Sequence, residues 1–399
     1  MLYLTIISIA ILVCKSHPNP LLTVNPSLVQ HNDHLLRVAL GVEDYRAGSF
    51  TSVLDQSLFP RPQRFKRRST SSSSAVASRH HVQYPVNVYV GTDSTLFISA
   101  FRSNQVFRVK EDGDPELFAR GTYCNTRSPC IQLNGPWGLT GHANELFVAS
   151  WSTDTILIFD QQTSNYLGNF GDSEELNAPE GLSVRNGLLY VASYLNGEIV
   201  RYDIATRRKI DVVARNLPGP EGIEFFAGST LLAVACHTDH SVRILDISSN
   251  SNGNSYTNSN SNGNSNSNNA TEVSASASAS TSASAAPGKE VAKITNSMGG
   301  GNWTKPIGVA TSHGNLLYIS ALQSNRSDAL LTFEIIQSDN YTFAKFKNVW
   351  EEMPELKAPA GIAVSRDSMF VASYQSHRVL VYTMNETDGT LRLKASLRL

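Results

Sequence analysis

Six copies of one short pattern, proline, any residue, glycine and an aliphatic residue, constrain this chain more than anything else in it. They are Pro136-Trp137-Gly138-Leu139, Pro179-Glu180-Gly181-Leu182, Pro220-Glu221-Gly222-Ile223, Pro306-Ile307-Gly308-Val309, Pro359-Ala360-Gly361-Ile362 and a degenerate first copy, Pro85-Val86-Asn87-Val88. Successive prolines lie 51, 43, 41, 86 and 53 residues apart. A period of about 40–50 residues with strand-like content marks a propeller or another repeat array. The 86-residue interval is a single period lengthened by a low-complexity insert, Ser248 to Pro287, made mostly of Asn, Ser, Gly and Ala. No core can be built from such a segment.

The second copy shows the repeat unit. After Pro136-Trp137-Gly138 and Leu139-Thr140 comes a polar turn, then Leu146-Phe147-Val148-Ala149-Ser150. A polar loop leads to Ile156-Leu157-Ile158-Phe159-Asp160, and Tyr166-Leu167-Gly168-Asn169-Phe170 closes the unit. Short aliphatic and aromatic runs between Gly/Asn/Asp/Ser turns predict strands. The runs are almost continuously apolar, so both faces of each sheet are expected to be buried. Blades stacked face to face around an axis meet that requirement. Four strands recur in each of six copies, which predicts an all-β, six-bladed β-propeller with four antiparallel strands per blade.

The last copy carries a family resemblance. Pro359-Ala360-Gly361-Ile362-Ala363-Val364, followed by Val371-Ala372-Ser373-Tyr374-Gln375-Ser376-His377-Arg378-Val379-Leu380-Val381-Tyr382, resembles the NHL repeat. The likeness spans roughly residues 82–399 and implies the broad NHL and gluconolactonase-like group of six-bladed propellers. The chain departs from it with Ala-Ser or Ile-Ser where that family has Ala-Asp. Gluconolactonase- and paraoxonase-like members carry a channel metal and hydrolyse lactones or esters, which the resemblance raises as an expectation here. A peptide-amidating lyase of the same group holds a channel zinc with histidines, a pattern this chain does not match.

Outside the repeats, Leu2 to Val13 is a nearly unbroken apolar run, too short to span a bilayer and suited to a signal peptide over residues 1–16. Residues 17–81 form a leader of mixed character. Its Arg64-Phe65-Lys66-Arg67-Arg68 stretch before a Ser/Thr run is either a solvated linker or a convertase-type site that would make the leader a propeptide. Cys124 and Cys130 flank the loop between the first two blades and would form a disulfide in an oxidising compartment. Sequons at Asn269, Asn302, Asn325, Asn340 and Asn385 agree with secretion. Cys236 stands unpaired at the end of a core strand. The formal net charge of −1 gives no electrostatic footprint for nucleic acid, and no second apolar stretch suggests stable membrane insertion.

Propeller geometry directs attention to the residue between Pro and Gly: Val86, Trp137, Glu180, Glu221, Ile307 and Ala360. It lies where the innermost strand begins, on the face bearing the strand two–three loops, and is expected at the channel mouth. Glu180 and Glu221, adjacent around the ring, are candidate ligands for Ca²⁺, a cation that takes carboxylate and carbonyl oxygens. The loops add a rim of Phe101, Arg102, Trp151, Tyr194, His237 and Tyr374, together with Asp154, His240 and His377. Exposed aromatics mixed with Arg and His suit protein or glycan contact, although aromatics after strand two equally serve blade packing. A zinc site from His237, His240 and His377 would require convergence from blades four and six. The expected function is a secreted binding module for a protein or carbohydrate partner, with a Ca²⁺-dependent lactonase or esterase as the alternative.

Overall fold

The computed structural model describes residues 84–110, 113–124, 130–248, 288–312, 315–323, 328–338, 341–350, 354–385 and 389–398. The signal peptide, the leader with its basic stretch, and residues 249–287 of the insert lie outside the described residues. What is described is the predicted propeller: six sheets of four antiparallel strands, each sheet a plain meander in chain order. Blade three is representative, with strands Pro179–Arg185, Leu188–Ser193, Glu198–Asp203 and Arg208–Ala214. The innermost strands of the other blades are Pro85–Val90, Pro136–His142, Pro220–Phe225, Trp303–Thr311 and Pro359–Ser365.

Burial follows the apolar runs. Every residue of the second strands Leu96–Ala100 and Leu231–Cys236 is buried, because blades pack on both of their faces. The outermost strands instead open to water, as at the consecutive exposed residues Arg208, Lys209 and Ile210, and charges there blunt an otherwise pairable edge. Blades one and six are each a continuous stretch of chain. The ring therefore closes by packing of Pro85–Val90 on Pro359–Ser365, without an exchanged strand.

The repeated glycine has a steric cause. A β-carbon on Gly138 would overlap the Glu180 carbonyl oxygen, and one on Gly181 that of Glu221. Gly222 meets the carbonyl of Ile307 and Gly308 that of Ala360 in the same way, while Gly361 packs on the backbone and amide of Asn87. The innermost strands thus touch backbone to backbone in a closed ring around the axis. Asn87, the residue that makes the first copy degenerate, is the only member of the ring with a side chain.

A second sixfold feature ties the blades together. The residue before each repeat proline has a left-handed φ: Tyr84, Gly135, Ala178, Gly219, Lys305 and Ala358. In five of the six, its N–H is accepted by a side chain just ahead of strand three in the preceding blade. Asn104 Oδ1 takes Gly135 N–H at 2.7 Å and Asp154 Oδ1 takes Ala178 N–H at 2.8 Å. His240 Nδ1 takes Lys305 N–H at 3.2 Å, His377 Nδ1 takes Tyr84 N–H at 3.1 Å, and Asp328 accepts from Ala358. Blade three has Gly197 at this position and makes no such latch. Asp154, His240 and His377, expected on a binding rim, are therefore tied into the joints between blades.

The serine ending strand two is also structural. Ser150, Ser193 and Ser373 are fully buried and accept the N–H of Asn134, Asn177 and Lys357, two residues before the repeat proline. Blade four has Cys236 instead, opposite Pro218, which has no N–H to donate. A weak hydrogen-bonding residue replaces serine where the donor is missing. Burial pushes the Cys236 thiol up to about 12, so it is an inert core residue.

Cys124 and Cys130 are disulfide-bonded, with the two-stranded ribbon Thr122–Tyr123 and Ile131–Gln132 beside them. In blade four, Asp246 pairs directly with Lys289 across the ends of strands three and four, so the insert leaves and rejoins the blade at that junction. Asn302 and Asn385 are exposed, whereas Asn269, Asn325 and Asn340 lie outside the described residues.

Candidate functional site

On the face bearing the strand two–three loops, the glycine ring is covered by a layer of side chains. Trp137 is buried beneath Phe101, their rings edge to face at 5.1 Å, and Trp151 stands edge to face with Phe101 at 6.2 Å. These three pack against one another as much as they face solvent. Trp151 also donates its indole N–H to Glu180 Oε1 at 3.0 Å. Next around the ring, His237 Nδ1 lies 3.0 Å from Glu221 Oε1, and Tyr194 stands edge-on to the His237 ring at 6.4 Å. At the seam between blades six and one, the exposed Arg102 places its guanidinium 4.4 Å over Tyr84 and 5.9 Å from the centre of Tyr374. Tyr84 and Tyr374 are themselves 5.0 Å apart.

Glu180 and Glu221 were expected at an open mouth, but they are 0% and 1% exposed. The layer of Trp151, Tyr194 and His237 roofs them, and the glycine ring floors them. Glu180 Oε2 and Glu221 Oε2 have no hydrogen-bond partner among the described residues. Burial, and then the neighbouring charge of Glu221, hold the Glu180 carboxyl well above the usual carboxylate range, against the opposing effect of the Trp151 hydrogen bond. A buried carboxylate pair of this kind shares a proton or holds a cation.

As a Ca²⁺ site, the pair supplies two carboxylates towards the six to eight oxygens the ion takes. Among the described residues, no group of three His, Cys, Asp or Glu is placed to hold a metal, although His237 abuts Glu221. A bound cation would therefore complete its shell with water or carbonyl oxygens. The three histidines considered for zinc do not converge either, since Nδ1 of His240 and of His377 accept backbone N–H groups and His237 abuts Glu221.

Beyond the glycine ring, the innermost strands diverge and enclose a cavity of about 570 Å³. Its wall runs from Asn87 and the glycines Gly181, Gly222, Gly308 and Gly361 to the exposed strand one–two turns at Thr92, His142 and Asn186. The cavity is thus closed at the ring and opens on the face opposite the rim. On its wall stands a carboxylate outside the Pro-x-Gly positions. Glu224, two residues past the repeat glycine of blade four, accepts Phe225 N–H at 3.1 Å and Ser183 Oγ–H at 3.4 Å, both on Oε1. Burial pushes its carboxyl up to about 7. The corresponding residues of other blades, such as Thr140, Ser183 and Ala363, are uncharged, and that contrast was the available signal.

No family model and no curated protein matches this chain by sequence. Solved structures do share its fold. The periplasmic gluconolactonase of Pseudomonas aeruginosa aligns with a TM-score of 0.50 at 12% identity over 79% of this chain and 85% of its own. A Bacteroides uniformis protein assigned as a 6-phosphogluconolactonase aligns with a TM-score of 0.50 at 12% identity, over 78% and 85% of the two chains. A protein from Lactobacillus plantarum gives 0.50 at 11% identity, over 79% and 85%. At such identities the likeness is one of architecture. The chain is a six-bladed β-propeller similar in fold to gluconolactonase propellers.

Proposed function

We propose that this propeller is an extracellular binding module whose strand two–three loop face engages a protein or glycan. The observation that carries the reading is the exposed Arg102 stacked on Tyr84 and Tyr374 at the ring seam. A guanidinium held against aromatic faces loses little conformational freedom when it meets a partner. Leu195, 41% exposed on the same loop layer, adds apolar area. The Cys124–Cys130 disulfide supports an oxidising compartment, and no helix among the described residues is long and apolar enough to cross a membrane. The test is a glycan array and a panel of extracellular proteins probed with the full chain and with the Arg102→Ala/Tyr374→Ala variant. Capture lost in the variant at an unchanged melting temperature supports the reading; no capture, or capture retained, overturns it.

A second reading, a Ca²⁺-dependent lactonase or esterase, is favoured by the unpartnered oxygens of Glu180 and Glu221. It requires Ca²⁺ to raise the melting temperature of the chain and Glu180→Gln/Glu221→Gln to remove that rise. Lactone turnover should then follow Ca²⁺ occupancy. An unchanged melt with Ca²⁺ defeats this reading and leaves the binding module standing.

A further inference from the structure

The cavity beyond the glycine ring holds polar atoms of two half-buried side chains that make no hydrogen bond to the described residues. Glu224 commits Oε1 to Phe225 N–H and Ser183 Oγ–H, while Oε2 makes no hydrogen bond among the described residues. Asn87 places its amide against Gly361 at the closed end, and that amide likewise makes no side-chain hydrogen bond among them. Within one cavity these groups supply a negative charge, an acceptor and a donor. Hydroxyl side chains of Thr140 and Ser365 stand further along the wall. The volume of about 570 Å³ falls in the range of small-molecule sites.

We propose that this blind channel is a ligand site for a small hydroxylated organic cation, paired with Glu224, capped by the Asn87 amide and entered from the face opposite the rim. The charge balance of the wall selects the ligand class. Among the described residues, Glu224 is the one acidic residue lining the cavity, no Lys or Arg lines it, and His142 stands at the exposed lip. An anion would meet the Glu224 carboxylate, whereas an ammonium with neighbouring hydroxyls finds a partner for each group. The other titratable groups near Glu224 are already engaged or remote from its free oxygen. Arg185 donates to the Phe226 carbonyl at 3.1 Å and lies over the Phe225 ring, and Tyr89 sits on the blade one wall against Gln161. Because Glu224 titrates at about 7, the site gains its charge near neutral pH and loses it in mild acid.

The experiment is calorimetric titration of the full chain with N-methylglucamine, which stays cationic from pH 5.5 to 8, and with sorbitol as its neutral counterpart. At pH 8 the amine should bind at least about tenfold tighter than sorbitol. At pH 5.5, well below the Glu224 value, amine affinity should fall ~30-fold. Glu224→Gln, nearly isosteric, should remove both the preference and its pH dependence, and Asn87→Gly should weaken binding at an unchanged melting temperature. Arg102→Ala/Tyr374→Ala, on the opposite face, should leave amine binding intact, so this site stands or falls separately from the rim. Absence of binding at pH 8, equal binding of amine and sorbitol, or a pH-independent affinity of the unmodified chain would overturn the proposal whether or not the variants fold.

Discussion

The two sides of the glycine ring make an instructive comparison, because the same repeated strand supplies both. On the rim side, Glu180 and Glu221 are sealed by Trp151, Tyr194 and His237, and their free oxygens face no water. On the channel side, Glu224 stands on the same kind of strand only three residues beyond Glu221, but on the wall of an open cavity. Both surroundings raise a carboxyl, one by enclosure and a neighbouring charge, the other by partial burial. A few residues along one strand thus separate a closed polar core from a site with room for a ligand. The divider is backbone, not side chain.

Breaking the divider should have the largest effect. Gly181→Ala forces a β-carbon into the Glu221 carbonyl oxygen, and neither strand can retreat without opening the ring. Its cost should be about 3 kcal/mol or more, read by urea unfolding, or the chain should fail to fold. A cost under about 1 kcal/mol would show that the ring is looser than its contacts imply.

The latches lie on the rim side alone, so removing one should loosen that side selectively. Asn104→Ala leaves Gly135 N–H without its acceptor and should cost about 1–3 kcal/mol, with faster hydrogen exchange at the blade one–two joint. The His240 latch adds acid sensitivity. Burial lowers the His240 pKa, so between its folded and unfolded values the unfolded chain binds more protons, and stability falls as pH drops below about 6.5. His240→Asn keeps an acceptor of the kind Asn104 provides and should flatten this loss between pH 7 and 5. An unchanged slope would place the acid sensitivity elsewhere.

A smaller effect compares the carboxylates directly. A carboxyl raised in the folded state costs stability above its unfolded pKa, and the cost grows as pH rises towards the folded value. Glu180→Gln should therefore stabilise the chain at pH 8 by on the order of 1 kcal/mol, and the gain should vanish near pH 4. Glu224→Gln should stabilise it less, because its free oxygen reaches the channel. Equal gains would erase the distinction between the two sides. Cys236→Ser should destabilise the chain by about 1 kcal/mol, because Pro218 offers no N–H to the newly buried hydroxyl. The native thiol should resist alkylation at pH 8 and react once the chain is unfolded in urea.

The blade count and strand pattern were legible because burial on both faces leaves unbroken apolar runs and each blade repeats them. Ala192-Ser193 and Ala372-Ser373 could be placed at strand ends for that reason. The latches were visible as Asn, Asp or His before strand three, but their role was not, since the partner N–H is tens of residues away. Trp137 illustrates the remaining difficulty: its position was predictable, its burial under Phe101 was not.

The amino-acid sequence by itself determined the number of blades, the order of strands and the recurrence of a glycine in five of the six copies, because these follow from local periodicity. Only the tertiary structure decided which carboxylates are sealed and which is open. That depends on how the six innermost strands converge at Gly138, Gly181, Gly222, Gly308, Gly361 and Asn87 and diverge past them. Distances between strands from different blades are set by ring closure, and no stretch of sequence encodes them alone.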